Sequence, residues 1–124
     1  MHYLICDDDP VIRYLLDMVL AKRGGHRVTA VADPTAVQAL ASGDRPDAVL
    51  VDYTMPGMSG IEVARALGAD PKLAGIPVVL LTGRADLDSH DYAGTAICGL
   101  IEKPFDTSTL ISHIEDLIGA SSAA

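Results

Sequence analysis

The stretch that decides the fold is Tyr3-Leu4-Ile5-Cys6-Asp7-Asp8-Asp9-Pro10-Val11-Ile12. Four apolar residues, short enough for a strand, run into three carboxylates, and the third is followed by proline. Asp before Pro is a helix-start signal. The Asp side chain caps the first turn, and proline at the first helical position gives up only an N–H that the helix leaves unpaired. Beyond it Val11, Leu15 and Val19, together with Ile12, Leu16 and Leu20, fall on adjoining rows of one helical face, and Gly24-Gly25 stops the helix. A strand feeding a capped amphipathic helix is one βα unit.

The unit recurs outward along the chain. Residues 28–31, 48–51, 76–81 and 99–102 are further strand candidates. Asp33-Pro34 repeats the capping device for a second helix ending near Gly43, and Ser59 and Glu62 have the spacing of a capping box ahead of Ala64 and Leu67. A weakly patterned fourth helix is expected within residues 85–93. A fifth is expected to start at Asp106 and turn Leu110, Ile114, Leu117 and Ile118 inward. Strands alternating with helices predict an α/β fold, a doubly wound five-stranded parallel sheet covered on both faces. The first, third and fourth strands are nearly all apolar, as strands buried on both faces are. The second and fifth, carrying Thr29 and Glu102, read as sheet edges.

The 124 residues, 49% hydrophobic and 21% charged, suit one domain with one ordinary core, expected over residues 1–120 with residues 121–124 as a disordered tail. Nine Lys and Arg against 17 Asp and Glu give a net charge of −8, which opposes direct binding to a nucleic-acid backbone. No apolar run approaches the ~20 residues that span a bilayer, and strand pattern starts directly after Met1, leaving no room for a secretory signal. The expectation is a cytoplasmic protein without membrane insertion. Cys6 and Cys98 lack metal-site spacing and read as small buried apolar residues. His2, His26, His90 and His113 are scattered without ligand spacing.

In an open parallel sheet, ligands bind beyond the carboxyl ends of the strands. The polar strand ends are Asp7-Asp8-Asp9, Asp52, Thr82 and Lys103, all expected on one rim. If the first and third strands are neighbours, Asp7, Asp8 and Asp52 crowd together, which raises carboxylate pKa values unless something positive intervenes. Hard oxygen ligands favour Mg²⁺, and the stretch lacks the loop spacing of a calcium-binding hand. Lys103 supplies a second positive charge. A carboxylate, a metal, an ammonium and a hydroxyl on one rim suit attack by an Asp on phosphorus, with the charge of the transferring group neutralised. Asp9 reads as the helix cap. Met55 and Met58, flanking Pro56, either pack their loop or face a partner, and Tyr53 either meets a partner or turns into the helix layer.

The segments Ile5-Cys6-Asp7-Asp8-Asp9, Asp52-Tyr53-Thr54-Met55-Pro56-Gly57-Met58-Ser59-Gly60, Leu80-Leu81-Thr82-Gly83 and Lys103-Pro104-Phe105, in this order, resemble the receiver domain of two-component response regulators. The resemblance covers essentially the whole chain. It implies a flavodoxin-like (βα)5 fold of the chemotaxis-regulator type, with strand order 2-1-3-4-5. It implies Asp52 as phosphoacceptor, and Mg²⁺ held by Asp7, Asp8, Asp52 and the backbone carbonyl of Thr54. It also implies that Thr82 binds and Lys103 pairs with the phosphoryl group, and that the Lys103–Pro104 bond is cis. Gly83, Arg84 and Leu100 fall at switching and modulating positions, with Thr54 and Arg84 flanking the path of attacking water. Leu100 stands where most receivers carry Tyr or Phe, so the signal is expected to travel chiefly through residues 82–88 and the fourth helix.

The implied function is a phosphorylation-dependent switch, taking its phosphoryl group from a histidine kinase or phosphotransfer protein and altering a face for a downstream protein. It is catalytic only towards its own aspartate. A phosphorelay shuttle or phosphate sink is the alternative within the family. An enzyme-class rival resembles small phosphatases of the haloacid dehalogenase type, but these place a second Asp two residues after the nucleophile, where this chain has Thr54.

Overall fold

A computed structural model describes residues 1–83 and 92–122. In chain order the elements are β1 (His2–Cys6), α1 (Pro10–Asp17) continued by a π-helical stretch (Met18–Arg23), β2 (Arg27–Val31), a 3₁₀ turn (Pro34–Ala36) leading into α2 (Val37–Gly43), β3 (Ala48–Asp52), α3 (Gly60–Ala69), β4 (Val78–Thr82), β5 (Ile97–Glu102) and α4 (Leu110–Ser122). All strand pairings are parallel and the order is β2-β1-β3-β4-β5. Every residue of the central strands β3 and β4 is buried, whereas β2 is half-buried or exposed along its length, as the apolar runs and edge readings required. Among the described residues no helix is long and apolar enough to cross a membrane.

The helix starts follow from their caps. Asp9 Oδ1 accepts from the Val11 N–H at 2.9 Å, and Asp33 Oδ1 accepts from the Thr35 N–H at 2.9 Å. At α3 the box closes in both directions, Glu62 N–H donating to Ser59 Oγ and Ser59 N–H to Glu62 Oε1. Gly25, at φ 70°, turns the chain out of the first helix.

The structure corrects three details. Val11 is 61% exposed and Leu15 only half-buried; Leu16, Val19 and Leu20 carry the buried stripe. Three residues separate the end of β1 at Cys6 from the first turn of α1 at Pro10, so that turn starts beyond the carboxyl end of the strand. The last helix begins at Leu110: the Asp106 carboxylate accepts from the Ser108 N–H and hydroxyl and caps a turn over residues 107–109, and the helix follows that turn. That helix runs to Ser122, so Ser121 and Ser122 are helical rather than tail; residues 123–124 lie outside the described residues. The fourth helix expected within residues 85–93 falls almost wholly outside them too.

Two apolar layers cover the sheet. Leu4, Cys6, Val49, Val51, Val78 and Leu80 face α2 and α3, whereas Tyr3, Ile5, Leu50, Val79, Leu81 and Ile101 face α1 and α4. In β5 the alternation breaks. Val78 pairs with Ile97 but Val79 pairs with Gly99, so Cys98 is an extra residue and the strand bulges. Ile97 consequently lies in the α2/α3 layer and Ile101 in the α1/α4 layer, although strict alternation would put both on one face. A Cβ at Gly99 would stand 2.5 Å from Leu117 Cδ2, so glycine is what lets α4 lie down at the bulge.

Candidate phosphorylation site

Register assembles the site. Cys6 pairs with Val51, which puts Asp7 beside Asp52 one step beyond, and the Lys103 N–H donates to the Thr82 carbonyl at 2.7 Å, extending the β4–β5 pairing to the rim. Alternation sends Asp7 to the side of Tyr3 and Ile5, and Asp52 to the side of Ala48 and Leu50. After the bulge it sends Lys103 to the side of Ile101. These three side chains therefore share the α1/α4 face of the rim. Lys103 Nζ donates to Asp7 Oδ2 at 2.8 Å and to Asp52 Oδ1 at 3.1 Å. The Lys103–Pro104 bond is cis, as the resemblance implied.

Among the described residues, the buried polar or charged side chains are Asp7, Asp52 and Thr82, and all three stand on this rim. Burying such groups costs free energy unless they are paired, so their concentration at one place marks the site. Asp7 is fully buried and every polar atom of it is engaged. Its N–H donates to the Val31 carbonyl, its Oδ1 accepts from the Asp9 N–H, its Oδ2 from Lys103, and its carbonyl from Arg13 Nη1 at 2.8 Å. Asp8 is exposed. Carboxylate oxygens of Asp7, Asp8 and Asp52 lie within 4.8 Å of one another.

Burial, and then the charge of Asp7, push the Asp52 carboxyl above its ordinary range; the hydrogen bond and charge of Lys103 oppose this without overcoming it. Burial alone would lower the Lys103 ammonium, but its bonds to Asp7 and Asp52 outweigh that and raise it. Among the described residues, Lys103 thus pairs with two of the three clustered carboxylates and leaves Asp8 unmatched, in a cleft rich in hard, negatively charged oxygen donors. Such a donor set fits a Mg²⁺ ion.

Thr82 ends β4 and is buried beside the rim. Gly83 follows it, exposed, with open space where a Cβ would stand. Thr54 is exposed in the loop after β3. Leu100 is half-buried against the α2/α3 layer, and Arg84 lies outside the described residues. Met55 turns inward, its Sδ 3.5 Å from Cys6 Sγ, and Met58 and Tyr53 pack on the same layer while keeping part of their surface exposed. Burial, aided by Asp7, pushes the Cys6 thiol up to about 12, consistent with an inert apolar role; Cys98 is half-buried. The loop is drawn close to β3 at Gly60, where a Cβ would stand 2.6 Å from the Asp52 carbonyl oxygen. Arg13 was not singled out in the sequence. Its only signal there was a cation four residues after a helix cap beside an acidic turn.

The chain matches the response regulator receiver domain over residues 3–115. It belongs to that family. It is 33% identical over 117 residues to protein PilH of Pseudomonas aeruginosa, covering 93% of this chain and 95% of PilH. It is 34% identical over 113 residues to the DNA-binding response regulator MtrA of Mycolicibacterium smegmatis, covering 90% of this chain but 47% of MtrA, so this receiver spans about half the length of that relative. The receiver domain of sensor histidine kinase PA1611 from Pseudomonas aeruginosa, solved with a magnesium ion coordinated in its active site cleft, superposes with a TM-score of 0.82 at 27% identity, covering 95% of this chain and 97% of that one. The fold is the receiver fold and the chain is a two-component signalling domain.

Proposed function

We propose that this receiver is a phosphorylation-dependent switch whose Asp52 takes a phosphoryl group from the phosphohistidine of a histidine kinase or phosphotransfer protein in the cytoplasm. One observation carries the reading. Two buried carboxylates, Asp7 and Asp52, are held on one ammonium at a strand-end rim, an arrangement costly to the fold unless the rim does chemistry.

An Asp52 carboxylate oxygen forms the bond to phosphorus as the bond from phosphorus to the histidine nitrogen breaks, the electron pair leaving with the imidazole; the product is an acyl phosphate. Lys103 neutralises an oxygen of the transferring group, and the Thr82 hydroxyl donates to another. Asp7, Asp8, Asp52 and the Thr54 carbonyl would hold Mg²⁺, which when bound supplies positive charge to the phosphoryl oxygens. Gly83 leaves the rim open to the donor. Arg84 and Thr54 modulate phosphoryl lifetime, and Leu100 shifts within its half-buried packing as the rim rearranges. The altered face then meets a downstream protein, or the group passes on in a relay.

The test is phosphoryl transfer from histidine-phosphorylated donors, with mass mapping of the product. A label on the peptide containing Asp52, absent in Asp52→Asn and in excess chelator, is the expected result. Labelling that persists in either case refutes the assignment.

A further inference from the structure

We infer that Arg13 is a positioning residue for the metal-binding turn, acting through the main chain of Asp7; the inference rests on the reading of Asp8 as a metal ligand given above. Among the described residues, Asp8 makes no hydrogen bond or ion pair and is exposed. Among the described residues, then, only the backbone on either side aims its carboxylate. The Asp7 carbonyl and the Asp8 N–H belong to one rigid peptide plane, so whatever holds that carbonyl fixes the axis about which Asp8 turns. Arg13 Nη1 holds it at 2.8 Å.

The rest of the turn shows why this bond matters. The Asp9 N–H donates to Asp7 Oδ1 at 2.9 Å and the Arg13 N–H to the Asp9 carbonyl at 3.1 Å, so both flanks of Asp8 are tied to the first turn of α1. Arg13 closes the remaining side: its backbone is anchored in the helix while its guanidinium reaches back over the turn. Asp7 is fully buried, and a buried carbonyl that lost its donor would reorient toward a new one. That reorientation would swing Asp8 away from Asp7 and Asp52. A planar guanidinium suits the task better than an ammonium, because its fixed fork loses less freedom per bond formed.

Electrostatics alone predicts the opposite sign, which makes the inference testable. Arg13 is a cation close to a site that binds a cation, so deleting its charge would tighten Mg²⁺ binding, whereas loosening the turn would weaken it. The experiment is calorimetric Mg²⁺ titration of wild type, Arg13→Met, Arg13→Lys and Asp8→Ala, with hydrogen exchange of the Asp9 amide measured in chelator. Outer partners that orient metal ligands are worth about tenfold or more in affinity. Arg13→Met should therefore weaken Mg²⁺ binding about tenfold and speed Asp9 exchange without lowering the urea midpoint in proportion. Arg13→Lys, keeping the charge but not the fork, should move both in the same direction. Unchanged or tighter binding in both Arg13 variants, with Asp8→Ala still weakened, overturns this inference alone. Unchanged binding in Asp8→Ala overturns the metal reading beneath it.

Discussion

Replacing Asp52 by Asn should stabilise the metal-free protein at neutral pH, and the size follows from the geometry. Asp52 faces two carboxylates, with oxygens within 4.8 Å, and one ammonium at 3.1 Å. At an effective dielectric near 20, each repulsion is worth about 3.5 kcal/mol and the attraction about 5 kcal/mol, so crowding exceeds pairing by about 2 kcal/mol. Water around the exposed Asp8 screens part of that, while the desolvation of Asp52 adds to it. The net gain in Asp52→Asn is about 1–2 kcal/mol. The pH dependence has a definite sign. Because the folded Asp52 carboxyl titrates above its ordinary value of 3.8, the folded state binds its proton first, and stability falls as pH rises through the window between the two values. The advantage of Asn is thus full above that window, shrinks as pH falls through it and is lost below it. Urea denaturation in chelator, at neutral pH and again in the carboxylate range, measures both effects. An Asn variant less stable than wild type at neutral pH would show that the bond to Lys103 dominates and that the site is not overcrowded.

Lys103→Ala should destabilise the chelated protein by about 3 kcal/mol, because it strands two buried carboxylates, and saturating Mg²⁺ should restore more stability to it than to wild type, read from urea midpoints. Asp8→Ala should leave the fold at wild-type stability or above while Mg²⁺ affinity drops at least tenfold by calorimetry, since the residue is exposed and makes no bond within the described protein. Gly60→Ala should cost about 2 kcal/mol and slow Asp52 phosphorylation, because the added Cβ collides with the main-chain carbonyl of Asp52, which cannot step aside as a side chain can, and also with Leu80 Cδ2. At Gly99 the three nearest atoms are all in the Leu117 side chain, so Gly99→Ala should cost less, a difference that paired thermal melts resolve.

The sequence alone settled which segments are strands, which ends carry chemistry and where most helices start, because these depend on local patterns. An apolar run bounded by carboxylates, an Asp-Pro pair, and a Ser and Glu three apart each act within a few residues. Strand order came from a family resemblance, and the edge readings of β2 and β5 from composition. Three things were decided only in three dimensions. The exposure of Val11 depends on where the first turn of α1 stands relative to the sheet, which helical period does not encode. The role of Arg13 depends on a side chain folding back over a turn to a main-chain oxygen, and main-chain oxygens carry no residue signature. Lys103 reaches Asp7 and Asp52 because β5 gains one residue at Cys98 and Gly99; counted at period two from Ile97, it would point into the opposite layer. A bulge is fixed by competition between strand pairing with β4 and packing under α4, two partners distant in sequence, so only the assembled sheet and helix determine on which face the ammonium arrives.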